Sequence, residues 1–221
     1  MILDRLASLI ASYPITFVVF ILIGLLIYNM KKADRRKQKS DREFYERERA
    51  ANATRRKPLD NVDFVVIPYD ELPMELEKDD EAIATCIHDI ELLRGDKIAN
   101  FTGKTNTDLK LEYGAPNITL LSRYDANFTM LCRILADWSE RLYELEHYEE
   151  ALYICEFAIK IRSDVSATYY LCGELYEKLD RMNKIPWLKR SAEGIDTLMK
   201  NSIIRTLNER YPDILDSDTL L

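Results

Sequence analysis

The sequence predicts a mainly α protein: an N-terminal transmembrane helix, a charged helical stalk, and a solenoid of α-hairpins with flanking cap helices. Three observations predict it. Residues 15–28 carry no charge, and their one strongly hydrogen-bonding interior group is the Thr16 hydroxyl. Residues 31–57 hold twelve Lys/Arg against five Asp/Glu, a net of +7, among helix formers with no apolar stripe beyond Phe44 and Tyr45. From Asp125 almost to the end, apolar residues return every three or four positions, which is the period of one helix face.

The first element is the anchor, residues 1–30. The apolar run-in at 6–13 brings the uncharged stretch to the roughly 20 residues a helix needs to cross about 30 Å of hydrocarbon. Positive charge follows the apolar segment, whereas a cleaved signal peptide carries it in front and ends in a small-x-small site. Tyr28-Asn29-Met30-Lys31 offers no such site. A buried helix of a soluble protein is seldom apolar on all faces over this length. The positive-inside rule then puts the N-terminus outside and everything after Lys31 in the cytoplasm, as a single-pass protein of the plasma membrane. Lys31, Lys32, Arg35, Arg36, Lys37 and Lys39 form a basic collar suited to an anionic leaflet, or serve simply to stop transfer.

The net charge of −7 over 221 residues conceals a division, because residues 58–221 carry −14. An acidic body lacks the clustered Lys/Arg that phosphate neutralisation requires, which argues against nucleic acid as a partner. Cys86, Cys132, Cys155 and Cys172 are far apart, form no C-x-x-C pair and sit in apolar helical patterns. They are expected to be small core residues, with neither a metal nor a disulfide framework. Four Asn-x-Thr sequences begin at Asn52, Asn100, Asn117 and Asn127. They match the N-glycosylation pattern and matter only if the domain lies on the other side of the membrane.

The stalk, residues 31–57, ends at Pro58. Residues 58–78 read as an extended linker, in which the β-branched run at 64–67 is stopped by Pro68. In residues 79–130 a helix comes first. Asp79 or Asp80 can cap it, Ile83, Cys86, Ile87, Ile90 and Leu93 share one face, and Gly95 ends it. A polar stretch at 97–108 follows, too long for a simple connection and of the kind that often carries function. Residues 131–221 hold the hairpins and a C-terminal cap helix. Stripes run through Phe128, Leu131, Leu135, Trp138, Leu142 and Leu145; through Tyr148, Ala151, Leu152, Cys155, Ala158 and Ile159; and through Tyr169, Cys172, Gly173, Tyr176 and Leu179. A fourth takes Trp187, Leu188, Ala192 and Ile195, and a short one takes Ile203, Ile204 and Leu207.

These stripes repeat. Leu135 and Tyr169, Ser139 and Gly173, Leu142 and Tyr176, and Ala158 and Ala192 are each separated by 34 positions. Together with the run His147-Tyr148-Glu149-Glu150-Ala151, the period and residue types resemble the tetratricopeptide repeat. The second unit departs from it, with Ile185 and Lys189 where Ala and an aromatic are expected, and Ser163 stands where Pro is usual. The stalk, the Asn-Phe-Thr-Gly-Lys-Thr-Asn-Thr-Asp-Leu-Lys stretch and this repeat pair together also resemble membrane-anchored proteins of Gram-positive anaerobes, a resemblance that brings no activity with it. The tetratricopeptide resemblance implies a concave groove lined by the first helix of each hairpin. Its residues would be Arg133, Ala136, Glu140 and Tyr143, then Tyr170, Glu174 and Glu177. Tyrosines among carboxylates suit a basic or amphipathic protein or peptide.

Catalytic patterns are missing from the sequence. Gly103-Lys104-Thr105 lacks the earlier glycine of a P-loop, since that position is Ile98. His88 and His147 have no ligand spacing, and neither G-x-S-x-G nor a Cys/His pair is present. The expectation is a non-enzymatic, cofactor-free adaptor tethered to the bilayer. An assembly subunit of a membrane complex with no peptide groove is the alternative, and an unrecognised enzyme a minor one. The sequence sets no oligomeric state.

Overall fold

The computed structural model describes residues 14–212, apart from the side chains at 14–17, 20, 21, 33–36 and 39. The run-in at 6–13 and the side chains of Arg35, Arg36 and Lys39 therefore lie outside the described residues. The chain is mainly helical and divides into two compact units, Met1–Thr54 and Arg55–Leu221.

The first unit is one helix, α1 (Pro14–Ala53), of 40 residues. At 1.5 Å per residue it is about 60 Å long. Val18, Leu22, Leu25, Leu26, Tyr28 and Met30 are all more than half exposed. Lys31, Lys32 and Lys37 are exposed beyond them. Among the described residues no helix is long and apolar enough to cross a membrane. The helix closes where the Thr54 hydroxyl donates to the Ala50 carbonyl at 3.0 Å.

The second unit holds α2 (Glu81–Leu92), α3 (Asn106–Tyr113), α4 (Ile118–Glu144), α5 (Tyr148–Lys160), α6 (Ser166–Lys178), α7 (Ile185–Glu193) and α8 (Lys200–Arg210). Asp80 caps α2, its carboxylate accepting from the backbone N–H groups of Ala82 and Ile83, both at 3.1 Å. The polar stretch at 97–108 is not one long loop. Its end folds into α3, begun by a capping box in which the Thr105 hydroxyl accepts from the Asp108 N–H and the Asp108 carboxylate accepts from the Thr105 N–H. Two orphan donors are thereby satisfied at once. Leu109 and Tyr113 then enter a small core with Val62, Ala99, Phe101, Leu121 and Tyr124.

The larger core joins α2 and α4 to α8, with Trp138, Leu142, Ala151, Cys155, Tyr169, Cys172 and Tyr176 fully buried. Helices consecutive from α4 to α8 pack in sequence, and α2 lies on α4. Three turns in this array close in the same way. His147 N–H donates to Leu142 O at 2.9 Å, Ser163 N–H to Ala158 O at 3.0 Å, and Arg181 N–H to Tyr176 O at 2.7 Å. Each is the six-to-one bond of a Schellman motif, with a left-handed residue just before the donor. Those residues are Glu146, Arg162 and Asp180, at φ 64°, 62° and 54°. The first and third motifs lie 34 positions apart, so the period seen in side chains is repeated in backbone hydrogen bonds. Small residues hold the close contacts. Ser139 is buried with its hydroxyl on Ala136 O at 3.0 Å, and a Cβ at Gly173 would come within 2.9 Å of the Tyr211 ring.

The run at 64–67 makes an isolated antiparallel bridge, Phe64 to Ala99, and Val65 N–H donates to Ile98 O at 2.9 Å. The chain then crosses the array, burying Ile67 and Leu72 and placing the Tyr69 hydroxyl 3.1 Å from Ile90 O. What reads as a linker is therefore part of the core.

Candidate functional site

Helix periodicity puts Arg133, Ala136, Glu140 and Tyr143 on one stripe of α4, and Tyr170, Glu174 and Glu177 on one stripe of α6. At their C-terminal ends the two stripes meet. The Tyr143 hydroxyl donates to the Glu174 carboxylate, and this acceptor is the main cause of a raised Tyr143 pKa. Lys178 lies 5.4 Å from the centroid of the Tyr143 ring and 4.7 Å from that of Tyr148. Both distances are within cation–π range.

The remaining charge at this end is met from within the chain. Arg210, at the end of α8, lies 3.6 Å from both Glu174 and Glu177. The carboxylates the sequence offers to a basic partner are thus already faced by a cation, which sequence reading missed. Arg133 and Glu140 are exposed, and Tyr170 is half-buried.

The other end of the α4 stripe opens into a cavity of about 520 Å³. Arg133 and Ala136 line it with Asp125, Asp137, Asp164 and the loop residues Phe101 to Lys104. Asp125 accepts from the Phe101 N–H at 3.3 Å and holds the loop against the helix. Lys104 is engaged by Glu112 at 2.6 Å, so Gly103-Lys104-Thr105 is accounted for by an ion pair and a helix cap. Asp137, one residue beyond Ala136, was overlooked in the sequence although its position placed it beside the predicted stripe.

Asp137 also borders a shallower groove between α2 and α4, lined by Asp80, Glu81, Thr85, Cys86, Arg141 and Glu144. Arg141 bridges Asp80 and Glu144, each at 2.6 Å. Its hydrogen bonds, followed by the Ile83 N–H, hold the Asp80 carboxyl down from 3.8 to about 2. A carboxyl whose folded pKa is depressed contributes stability above its unfolded pKa and loses it as pH falls through the folded one. The contribution of Asp80 should therefore be full above about pH 4 and gone below about 2. Acid titration of Asp80→Asn, followed by circular dichroism, is expected to show a smaller loss of stability across that window than the parent. An unchanged acid limb would mean that the cap and the Arg141 bridge do not form.

No thiol here is primed for chemistry. Burial, then the carboxylates of Asp137, Asp89 and Asp80, push Cys86 up to about 11. Burial pushes Cys132 and Cys155 up to about 12. A thiol is a good nucleophile only as the thiolate. All four cysteines are free and buried. His88 is exposed, and His147 pairs with Glu77 at 3.0 Å. Among the described residues no group of His, Cys, Asp and Glu could hold a metal ion.

No protein-family model, no curated protein and no solved structure matches the chain.

Proposed function

We propose that this chain is a single-pass membrane-tethered adaptor, with its N-terminus outside and residues 55–221 in the cytoplasm. Its tetratricopeptide-like hairpins present the α4 face to a basic or amphipathic segment of a partner protein, and the reading assigns it no catalytic role. The observation that carries this is the 34-residue repeat of the Schellman turns on α4 and α6. It supports two like hairpins stacked in register, the arrangement that leaves first helices on a concave side.

The open part of that face is the segment from Arg133 to Glu140, beside the 520 Å³ cavity. Arg210 stands within ion-pair reach of Glu174 and Glu177, so a basic partner at that end competes with the end of α8. The anchor is carried by the uncharged run at 15–28 and the Lys/Arg that follow it, with its run-in at 6–13 outside the described residues. The pairing of the acidic end with Arg210 from within the chain favours the second reading, an assembly subunit with no peptide groove.

A photo-crosslinking residue placed at position 133 or 140 of the full chain in its native membrane separates the two readings. The adaptor predicts one discrete adduct from both positions and none from the exposed position 193. Equal labelling from all three, or none from any, would sink it.

A further inference from the structure

N-glycosylation joins the asparagine Nδ2 to C1 of a sugar carried on a lipid pyrophosphate. The N–C bond forms, the C1–O bond to pyrophosphate breaks, and one amide proton is lost. The modified side chain keeps a single N–H and carries a bulky, hydrated group. In a translocated chain this happens before folding is complete, so sequence and not burial decides which sites react.

The Asn117 side chain has no proton to give up. One N–H donates to Lys57 O at 2.9 Å and the other to Tyr113 O at 2.8 Å. Its residue is only 4 % exposed. The same spot is tied by Lys57 N–H to Tyr113 O and by Asn117 N–H to Gly114 O, both at 3.1 Å. A glycan there would remove a bond that holds residues 55–57 against the domain and would require space that backbone occupies. Asn100 is almost as fully engaged, its amide bridging Ile161 O and Arg162 O at 3.3 and 3.2 Å. Asn127 uses its amide once, on Lys97 O at 3.0 Å, on the exposed side.

We infer that the fold of residues 55–212 is incompatible with N-glycosylation at Asn117, so that the domain belongs on the side of a membrane where that modification does not occur. The incompatibility follows from the amide geometry; the placement relative to a membrane rests on the anchor of the proposed function, and neither rests on the groove.

Thr119 is exposed, so Thr119→Ala abolishes the acceptor sequence without touching the Asn117 amide. The full chain is translated into glycosylating microsomes, as it stands and with its orientation inverted by moving the Lys/Arg of residues 31–39 ahead of the anchor. All inverted chains carry Asn52→Gln, Thr102→Ala and Thr129→Ala, which removes the Asn52, Asn100 and Asn127 sites. The inverted chain is expected to gain a glycan at Asn117 and to be digested once the microsomes are opened. The same chain with Thr119→Ala should give a protease-resistant fragment covering residues 55–212. Resistance of the chain that keeps Thr119, glycosylated or not, overturns the inference, as does equal digestion of both. Glycosylation of the unaltered chain at Asn52, Asn100, Asn117 or Asn127 would instead sink the proposed orientation.

Discussion

Gly114→Ala is expected to destabilise the protein by at least about 3 kcal/mol. Gly114 joins α3 to the short turn before α4 at φ 94° and ψ 139°, a region that costs other residues on the order of 1–3 kcal/mol. Conformation is the smaller part. A Cβ built there would lie 2.2 Å from the Arg55 carbonyl oxygen and 2.8 Å from the Arg56 Cα. Both are backbone atoms and cannot swing aside like the tip of a long side chain. Relieving the clash means moving residues 55–57 away. That breaks the Lys57 N–H bond to Tyr113 O and the Asn117 bond to Lys57 O, each contributing roughly 1 kcal/mol. Urea unfolding of the full chain in detergent should show the midpoint fall with an unchanged slope. A loss below about 1 kcal/mol would mean that residues 55–57 do not lie against this turn.

The parts of the fold that were legible in the sequence are those specified locally. Asp80 and the Ile83, Cys86, Ile90 face announce α2, because cap and stripe lie within one helix. The α4–α6 stripes are legible for the same reason, and their spacing of 34 gives the pairing. α3 was hidden because Asn-Thr-Asp-Leu-Lys-Leu-Glu-Tyr shows only one apolar i,i+4 pair, Leu109 and Tyr113. The Thr105-x-x-Asp108 pattern was the available signal. The turns at Glu146, Arg162 and Asp180 carry no glycine, so left-handed backbone could not be read there. Packing on both sides holds them in a conformation that costs an L-residue roughly 1–2 kcal/mol.

For the candidate site the limit is tertiary. The meeting of Tyr143 with Glu174 follows from hairpin register, since one helix end must pass the other. The approach of Arg210 depends on where α8 returns, and no periodicity within α8 encodes that. Residues 58–78 look like a linker because their apolar residues are scattered among prolines. Ile67 and Leu72 nonetheless reach the core from an extended chain, which has no helical stripe to betray them.

Trp138→Ala should cost about 3–5 kcal/mol, the usual range for deleting a fully buried tryptophan. The side chain has no exposure at all and belongs to the core in which α2 and α5 pack on α4. The position 34 residues later is Cys172, also fully buried. The volume that fills the first unit therefore comes from one large ring, while a thiol suffices in the second. Trp138→Ala should on this account be far more damaging than Cys172→Ala. Area is not the whole account, because the Trp138 Nε1 has no hydrogen-bond partner among the described residues, and either substitution relieves that penalty. A buried unpaired donor costs roughly 1–3 kcal/mol. Trp138→Phe removes that donor while keeping most of the ring, and it should lose less than half as much stability as Trp138→Ala. At about 2–4 °C per kcal/mol for a chain of this size, thermal melts should put the alanine variant roughly 6–20 °C below the parent. The phenylalanine variant should fall between them. If alanine and phenylalanine melt together, the ring's volume is not what holds α4 between its neighbours; the Arg133 to Glu140 face then has no rigid backing, and the adaptor reading loses its surface.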